Sequence, residues 1–364
     1  MTEPTHTPLH DAHVAAEAKL ADEAGRLMPI SYGDAVGEAS RVRGSAGVAD
    51  CSHVGRIRIR GDGALGLLER VCTHDVAHME DNTAADTLLL TEQAGILDAA
   101  RLIRLERFWV LLTSPLCREK VLAHLQALCD EHGAKVDDQT AKTAMVRVAG
   151  SDAPRRLDAV LPFRVSGLTP GDVLFGSLMV ARYIADRDDG VGLWSACVQV
   201  PGMLAGRAWR YVTAKAGDNA MAPVGLAALD VLRIEAGRCR YGHEINETID
   251  PMTAGLDDRI DWDRDGFIGR AALEEHRRKP PPRRLGGLLC EPDAAQTIPR
   301  HGSPVRDATG REVGTVTSGT YSPALDRPIA LAHVARTLEP AAELIITVGQ
   351  TPLAARLTDL PSVA

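Results

Sequence analysis

The sequence predicts an α+β protein whose chain ends in a small antiparallel β-barrel. Three observations carry that expectation. Strands and helices follow one another in mixed order, without the regular alternation of a doubly wound sheet. A strand, a glycine with small polar neighbours and an amphipathic helix occur in that order twice, about ninety residues apart. Beyond residue 283, short strands arrive at turn-punctuated spacing.

At 364 residues, and with roughly 100–200 residues per domain, two or three domains are expected. Apolar residues make up 45% and charged residues 25%, which excludes wholesale disorder. The net charge of −8, with only 4 Trp, 5 Tyr and 4 Phe, offers neither a phosphate footprint nor a base-stacking platform, so no nucleic-acid partner is expected. The 7 cysteines include no C-x-x-C pair and read as buried small hydrophobes in a reducing compartment. Residues 1–24 lack the basic start and apolar core of a signal peptide. No run reaches the roughly 18 apolar residues of a membrane span. The expectation is a soluble, cytoplasmic protein with no membrane partner.

Residues 12–28 read as an amphipathic helix with Val14, Ala18, Leu20, Ala21 and Leu27 as apolar positions. Alternation follows: Ile57 and Ile59 share one strand face, with Arg56, Arg58 and Arg60 on the other. Gly61-Asp62 then opens a helix through Ala64, Leu67, Leu68 and Val71. The same order returns as the strand Met145–Ala149, the turn Gly150-Ser151-Asp152 and a helix through Leu157, Val160 and Leu161. Between them lie expected strands at Thr87–Leu90, Ala100–Leu105 and Phe108–Thr113, and a helix from Arg118 to Cys129.

The clearest boundary is Arg277-Arg278-Lys279-Pro280-Pro281-Pro282-Arg283-Arg284, where three prolines stop any helix and the charges favour a solvated linker. It divides the chain into residues 1–282, carrying two related α+β lobes, and a barrel at 283–364. Barrel strands are expected at Leu285–Cys290, Pro304–Val305, Val313–Thr317, Ile329–Val334, Leu344–Val348 and Ala354–Leu357.

Several local patterns carry little chemistry. His74 and His78 stand four apart without a third ligand of fitting spacing, so no metal is expected. Gly61-Asp62-Gly63 is too short for a phosphate loop, and no nucleophile elbow occurs. Two stretches are denser. In Leu226–Glu244, an apolar helix stops at Gly237, with Arg233 and Glu235 near its end, either as an ion pair or beside a pocket. Thr317–Pro323 reads as a small polar loop between barrel strands.

Together these stretches resemble the aminomethyltransferase family, the T-protein of the glycine cleavage system and its relatives. The matching segments are Asp50–Ile57, Thr73–Val76, Gly95–Asp98, Leu232–Gly237, Tyr241–Ile245, Phe267–Arg270 and Val316–Pro323, in order along nearly the whole chain. The resemblance implies three lobes in a cloverleaf, with residues 1–282 as the folate-binding part. It implies transfer of an aminomethyl or methyl group from a small-molecule one-carbon donor to tetrahydrofolate, with a lipoyl carrier protein as a further partner. Arg233, Tyr241 and Glu235 fall at cofactor-binding positions, and Asp98 at the catalytic one.

The departures gather at the same place. The family's two adjacent carboxylates after Gly-Gly-Ile become Asp98 and Ala99. The family's Thr-Gly-Tyr-Thr-Gly-Glu-Asp-Gly-Phe-Glu stretch is replaced by Tyr183–Gly192, with Gly192 at the pterin-binding glutamate. Ala99 and Gly192 therefore weaken the expected tetrahydrofolate site. Two alternatives follow: a repurposed family member acting on another small molecule, and a non-catalytic folate-binding protein supporting iron–sulfur enzymes, for which Cys239 falls at the matching cysteine.

Overall fold

A computed structural model of the chain describes residues 3–178, 181–188, 190–215, 217–291 and 297–363. These divide into two compact units: Met1–Arg70, Asp75–Thr87 and Ala100–Leu229 form one, and Val71–His74, Leu88–Ala99 and Asp230–Ala364 the other. The architecture is α+β, with mixed lobes and a closed six-stranded C-terminal barrel. No helix among the described residues is long and apolar enough to cross a membrane.

The first unit opens with a correction. Residues 12–28 do not form one helix: a short helix, His10–Ala15, is followed by the strands Lys19–Glu23 and Arg26–Ser31. Ala24 and Gly25 both have positive φ (52° and 77°), the conformation that joins antiparallel strands through a two-residue hairpin. The apolar spacing of this stretch satisfies a period of two as well as a helical one, and the turn decides between them.

A six-stranded sheet runs Val173–Leu178, Ala181–Asp188, Ser195–Pro201, Thr143–Ala149, Gly47–Asp50 and Ala222–Pro223. A five-stranded sheet runs Thr83–Leu90, Ile96–Leu105, Phe108–Thr113, Gly55–Arg60 and Lys135–Asp138. Each sheet carries one copy of the repeated unit. Gly55–Arg60 leads through Gly61 (φ 99°) to the helix Ala64–Val71, and Thr143–Ala149 leads through Gly150 (φ 129°) to Ala153–Val160. A Cβ at Gly150 would stand 2.3 Å from the Ser45 carbonyl oxygen, so only glycine makes this turn.

Arg56, on the strand face opposite Ile57 and Ile59, is fully buried. Its Nε donates to Thr143 Oγ1 (2.7 Å), Nη1 to the Val54 carbonyl (2.6 Å), and Nη2 to the carbonyls of Thr140 (2.6 Å), Thr143 (3.0 Å) and Ser52 (3.2 Å). Nearby, the buried Asp50 accepts from Thr7 Oγ1 (2.8 Å), Ser52 N (2.8 Å) and His13 Nε2 (2.9 Å), while His13 Nδ1 and Tyr32 OH share a hydrogen bond of 2.7 Å. These bonds tie the N-terminal segment to the six-stranded sheet.

In the second unit the barrel order is Arg283–Cys290, Arg327–Ala335, Glu312–Ser322, Pro304–Asp307, Glu343–Val348 and Thr351–Thr358, closed by pairing of the last strand with the first. Leu288, Val305, Val316, Val334, Ile346 and Leu357 fill its interior. Thr317–Ser322 is not a loop but the second half of the strand Glu312–Ser322, paired with Arg327–Ala335. Its serines and threonines bond to neighbouring elements, which is why a polar stretch sits inside a sheet. Arg277 and Arg278 likewise belong to the helix Arg270–Arg278, so only residues 279–282 bridge helix and barrel.

Candidate functional site

The helix Leu226–Glu235 ends at Gly237 (φ 67°), and the chain reverses into Tyr241–Ile245 beside the barrel strand Glu312–Ser322. The reversal builds a buried polar joint around Glu244, which has no exposed surface. Arg233 Nη1 donates to Glu244 Oε2 at 2.7 Å and Ser318 Oγ donates to Glu244 Oε1 at 2.6 Å. Arg233 Nη2 in turn donates to Ser318 Oγ (2.7 Å), Nη1 to the Arg238 carbonyl (3.2 Å) and Nε to Asp230 Oδ1 (2.9 Å). Arg240 N also donates to Glu244 Oε2 (2.9 Å). The guanidinium thus faces inward, binding helix end, reversal and barrel strand into one network.

Asp230, His243, Arg300, His301, Thr317 and Ser318 line a cleft of about 450 Å³ above this joint. That volume falls in the range of small-molecule sites. The His243 and His301 rings meet edge-on with centroids 5.5 Å apart. Both Nδ1 atoms approach the Thr317 carbonyl, at 3.3 and 2.8 Å. A carbonyl can only accept, so Nδ1 is the donor in each ring, and a neutral His243 leaves its Nε2 as an acceptor. Burial pushes the His243 imidazolium down, against the opposing pull of Glu244, which favours that neutral form. The cleft wall therefore offers Asp230 and the His243 ring as acceptors to a ligand bearing N–H groups.

Glu235 is also fully buried: Ser322 Oγ donates to its Oε1, and Ala324 N does so at 3.4 Å. Tyr241 packs its half-buried ring against the apolar cluster of Leu88, Ile96, Ile245 and Phe267 and donates its hydroxyl to Glu247. Asp98 lies fully buried on the strand Ile96–Leu105. Burial alternates along this strand, so Asp98 shares a face with Ile96 and Ala100, whereas Ala99 points to the opposite face with Leu97. Asp98 consequently does not fill the space that a carboxylate at position 99 would occupy. Gly192 sits in the hairpin loop between Ala181–Asp188 and Ser195–Pro201, with φ 69°. Asp189 and the side chain of Tyr183, in the same replaced stretch, lie outside the described residues.

Other sequence candidates fall away on geometry. Residues 74–78 are not helical, so His74 and His78 do not share a helix face, and His78 Nδ1 bonds to Asp75 at 2.6 Å. Burial, followed by the nearby Glu244 charge, pushes the Cys239 thiol up to about 12. A thiol held there stays protonated at neutral pH and offers no thiolate for chemistry.

The model of the GCVT N-terminal domain matches residues 9–264, and that of the glycine cleavage T-protein C-terminal barrel domain matches residues 283–363. The chain belongs to the glycine cleavage T-protein family. Among its relatives, the aminomethyltransferase of Rubrobacter xylanophilus is 33% identical over 363 residues, spanning 98% of this chain and 93% of that protein. The aminomethyltransferase of Moorella thermoacetica is 32% identical over 365 residues, spanning 98% and 96%. The glycine cleavage system aminomethyltransferase T of Bartonella henselae superposes with a TM-score of 0.89 at 27% identity, covering 99% of this chain and 98% of that one. The matches support a one-carbon transferase of the T-protein family.

Sequence reasoning singled out Arg233 and Glu235 but missed what holds them. Glu244 and Ser318 stand 11 and 85 residues from Arg233 and carry no local signature of burial. Both lie inside motifs of the T-protein family, and that was the only signal that could have found them.

Proposed function

We propose that this T-protein family member transfers an aminomethyl or methyl group from a small-molecule donor to tetrahydrofolate, with a lipoyl carrier protein as the partner in the aminomethyl case. The observation that carries this reading is end-to-end similarity to proteins named aminomethyltransferase, at 98% of the chain for the Rubrobacter protein. When bound, tetrahydrofolate would supply the nitrogen nucleophiles, leaving the protein to orient the reactants and manage a proton.

The residues present fit that ligand in part. Tyr241 offers a ring, the cleft lined by Asp230 and His243 offers acceptors, and Asp98 is the carboxylate we assign to the proton. Arg233 and Glu235 serve the site through Ser318 and Ser322, as residues that position the barrel wall. No second carboxylate stands at Ala99. A donor whose leaving group already carries positive charge needs little protonation, so this arrangement favours a sulfonium or quaternary ammonium methyl donor over an aminomethyl-lipoyl one.

The test is tetrahydrofolate titration against intrinsic fluorescence, followed by product analysis with each donor class. Binding with methyl- or methylene-tetrahydrofolate formation supports the proposal, and Asp98→Asn should then lower turnover by about 10²–10⁴-fold. Absence of both binding and transfer would return the chain to a repurposed activity.

A further inference from the structure

The helix Gly202–Arg210 turns Ala205 and Trp209 inward, Trp209 edge-on to His13 with centroids 5.2 Å apart. Its outward face carries Met203, Arg207 and Arg210 at helical spacing, with Tyr211 following. Met203 is 91% exposed and Tyr211 47%. A lone exposed apolar side chain is ordinary, and the setting is what distinguishes this one. Arg207 and Arg210 make no ion pair or hydrogen bond among the described residues. They stand one and two turns beyond the methionine on the same helix face, on a chain whose net charge is −8. Eight other arginines among the described residues of the first unit, including Arg101, Arg147 and Arg156, are bound to carboxylates of their own unit.

We propose that this face docks a protein partner that presents carboxylates around a shallow apolar hollow. The two arginines supply the charge complement, which speeds encounter and sets orientation. Met203 and Tyr211 supply the apolar contact, residue types enriched at interface centres. A second copy of this chain fits poorly, because a two-fold contact would set the arginines against one another. An anionic membrane fits poorly too. Electrostatic membrane binding takes clusters of about 4–8 basic residues, and two on an acidic chain fall short. A helix of this length spans about 13 Å, which suits a weak, transient contact.

The test uses the full chain and two synthetic probes, poly-glutamate and a glutamate–tyrosine copolymer, titrated at low and at physiological salt. The wild type should prefer the copolymer and lose affinity as salt rises. Arg207→Glu with Arg210→Glu should weaken binding at least tenfold while melting unchanged. Met203→Ser should abolish the preference for the copolymer and leave poly-glutamate binding intact.

Four results would overturn the proposal. One is undiminished binding by the double variant, or no binding by the wild type. Another is loss of binding in Arg277→Glu with Arg278→Glu instead, which would move the site to the second basic run. A third is equal or better capture by phosphatidylserine vesicles. The last is a dimer in sedimentation that Met203→Ser dissociates.

Discussion

Replacing Arg233 with alanine is expected to unfold this protein more readily before it does anything else. Arg233 is 8% exposed and Glu244 not at all. The substitution removes the 2.7 Å bond to Glu244 and the 2.7 Å bond to Ser318, leaving a carboxylate in the interior with only Ser318 Oγ and Arg240 N as donors. Breaking a buried ion pair from one side costs about 3–5 kcal/mol. For a cooperative unit of about 150–250 residues, each kcal/mol lowers the melting temperature by about 2–4 °C, so a fall of about 6–20 °C is expected. Glu244→Gln in the Arg233→Ala background removes the stranded charge and should recover part of the loss, which a double-mutant cycle by urea denaturation measures as a coupling energy. Had the guanidinium faced a ligand, Arg233→Ala would melt near the wild type and lose ligand affinity about tenfold, or 1.4 kcal/mol. That outcome, with no coupling to Glu244, would refute the reasoning.

Other outcomes can be checked with the same variants and instruments. Burial alone would raise the Asp188 carboxyl, but Arg147, Ser195 Oγ and the Gly190 N–H hold it down at about 2. Its folded value lies below the ordinary one of about 3.8, so it contributes about 2 kcal/mol of stability above pH 4 that disappears between about pH 4 and pH 2. Acid titration of stability should show that limb in the wild type and lose it in Asp188→Asn. A Cβ at Gly95 would stand 1.7 Å from the Glu247 carbonyl oxygen, so Gly95→Ala should destabilise by about 3 kcal/mol, read from the urea midpoint. Ala99→Asp should raise tetrahydrofolate affinity and aminomethyl transfer together. A variant that folds but changes neither would remove position 99 from the argument about the donor.

Much of this protein was legible in the residues themselves. The helix through Ala64, Leu67, Leu68 and Val71, the strand Phe108–Thr113 and all six barrel strands follow from periodicity and turn chemistry, because those are local properties. The T-protein motifs extended that reading to the family. Where two periods fitted one stretch, as at residues 12–28, the deciding factor was a turn with two positive-φ residues, one of them an alanine that gives no warning of it. The repeated strand–glycine–helix unit was visible and read as two related lobes, and its copies lie in different sheets.

Only the tertiary structure decided what the charged residues do. Arg56 was one of three arginines on a strand face and is the largest fully buried side chain among the described residues, held by carbonyls of its own segment and of residues 140–143. Arg233 looked like a ligand contact or a helix-end ion pair and is the centre of a buried network with Glu244 and Ser318. Asp98 and Ala99 are neighbours in sequence and point to opposite faces of one strand. The physical reason is the same in each case. Periodicity reports which residues avoid water, whereas the worth of a buried charge depends on partners distant in sequence that only folding assembles.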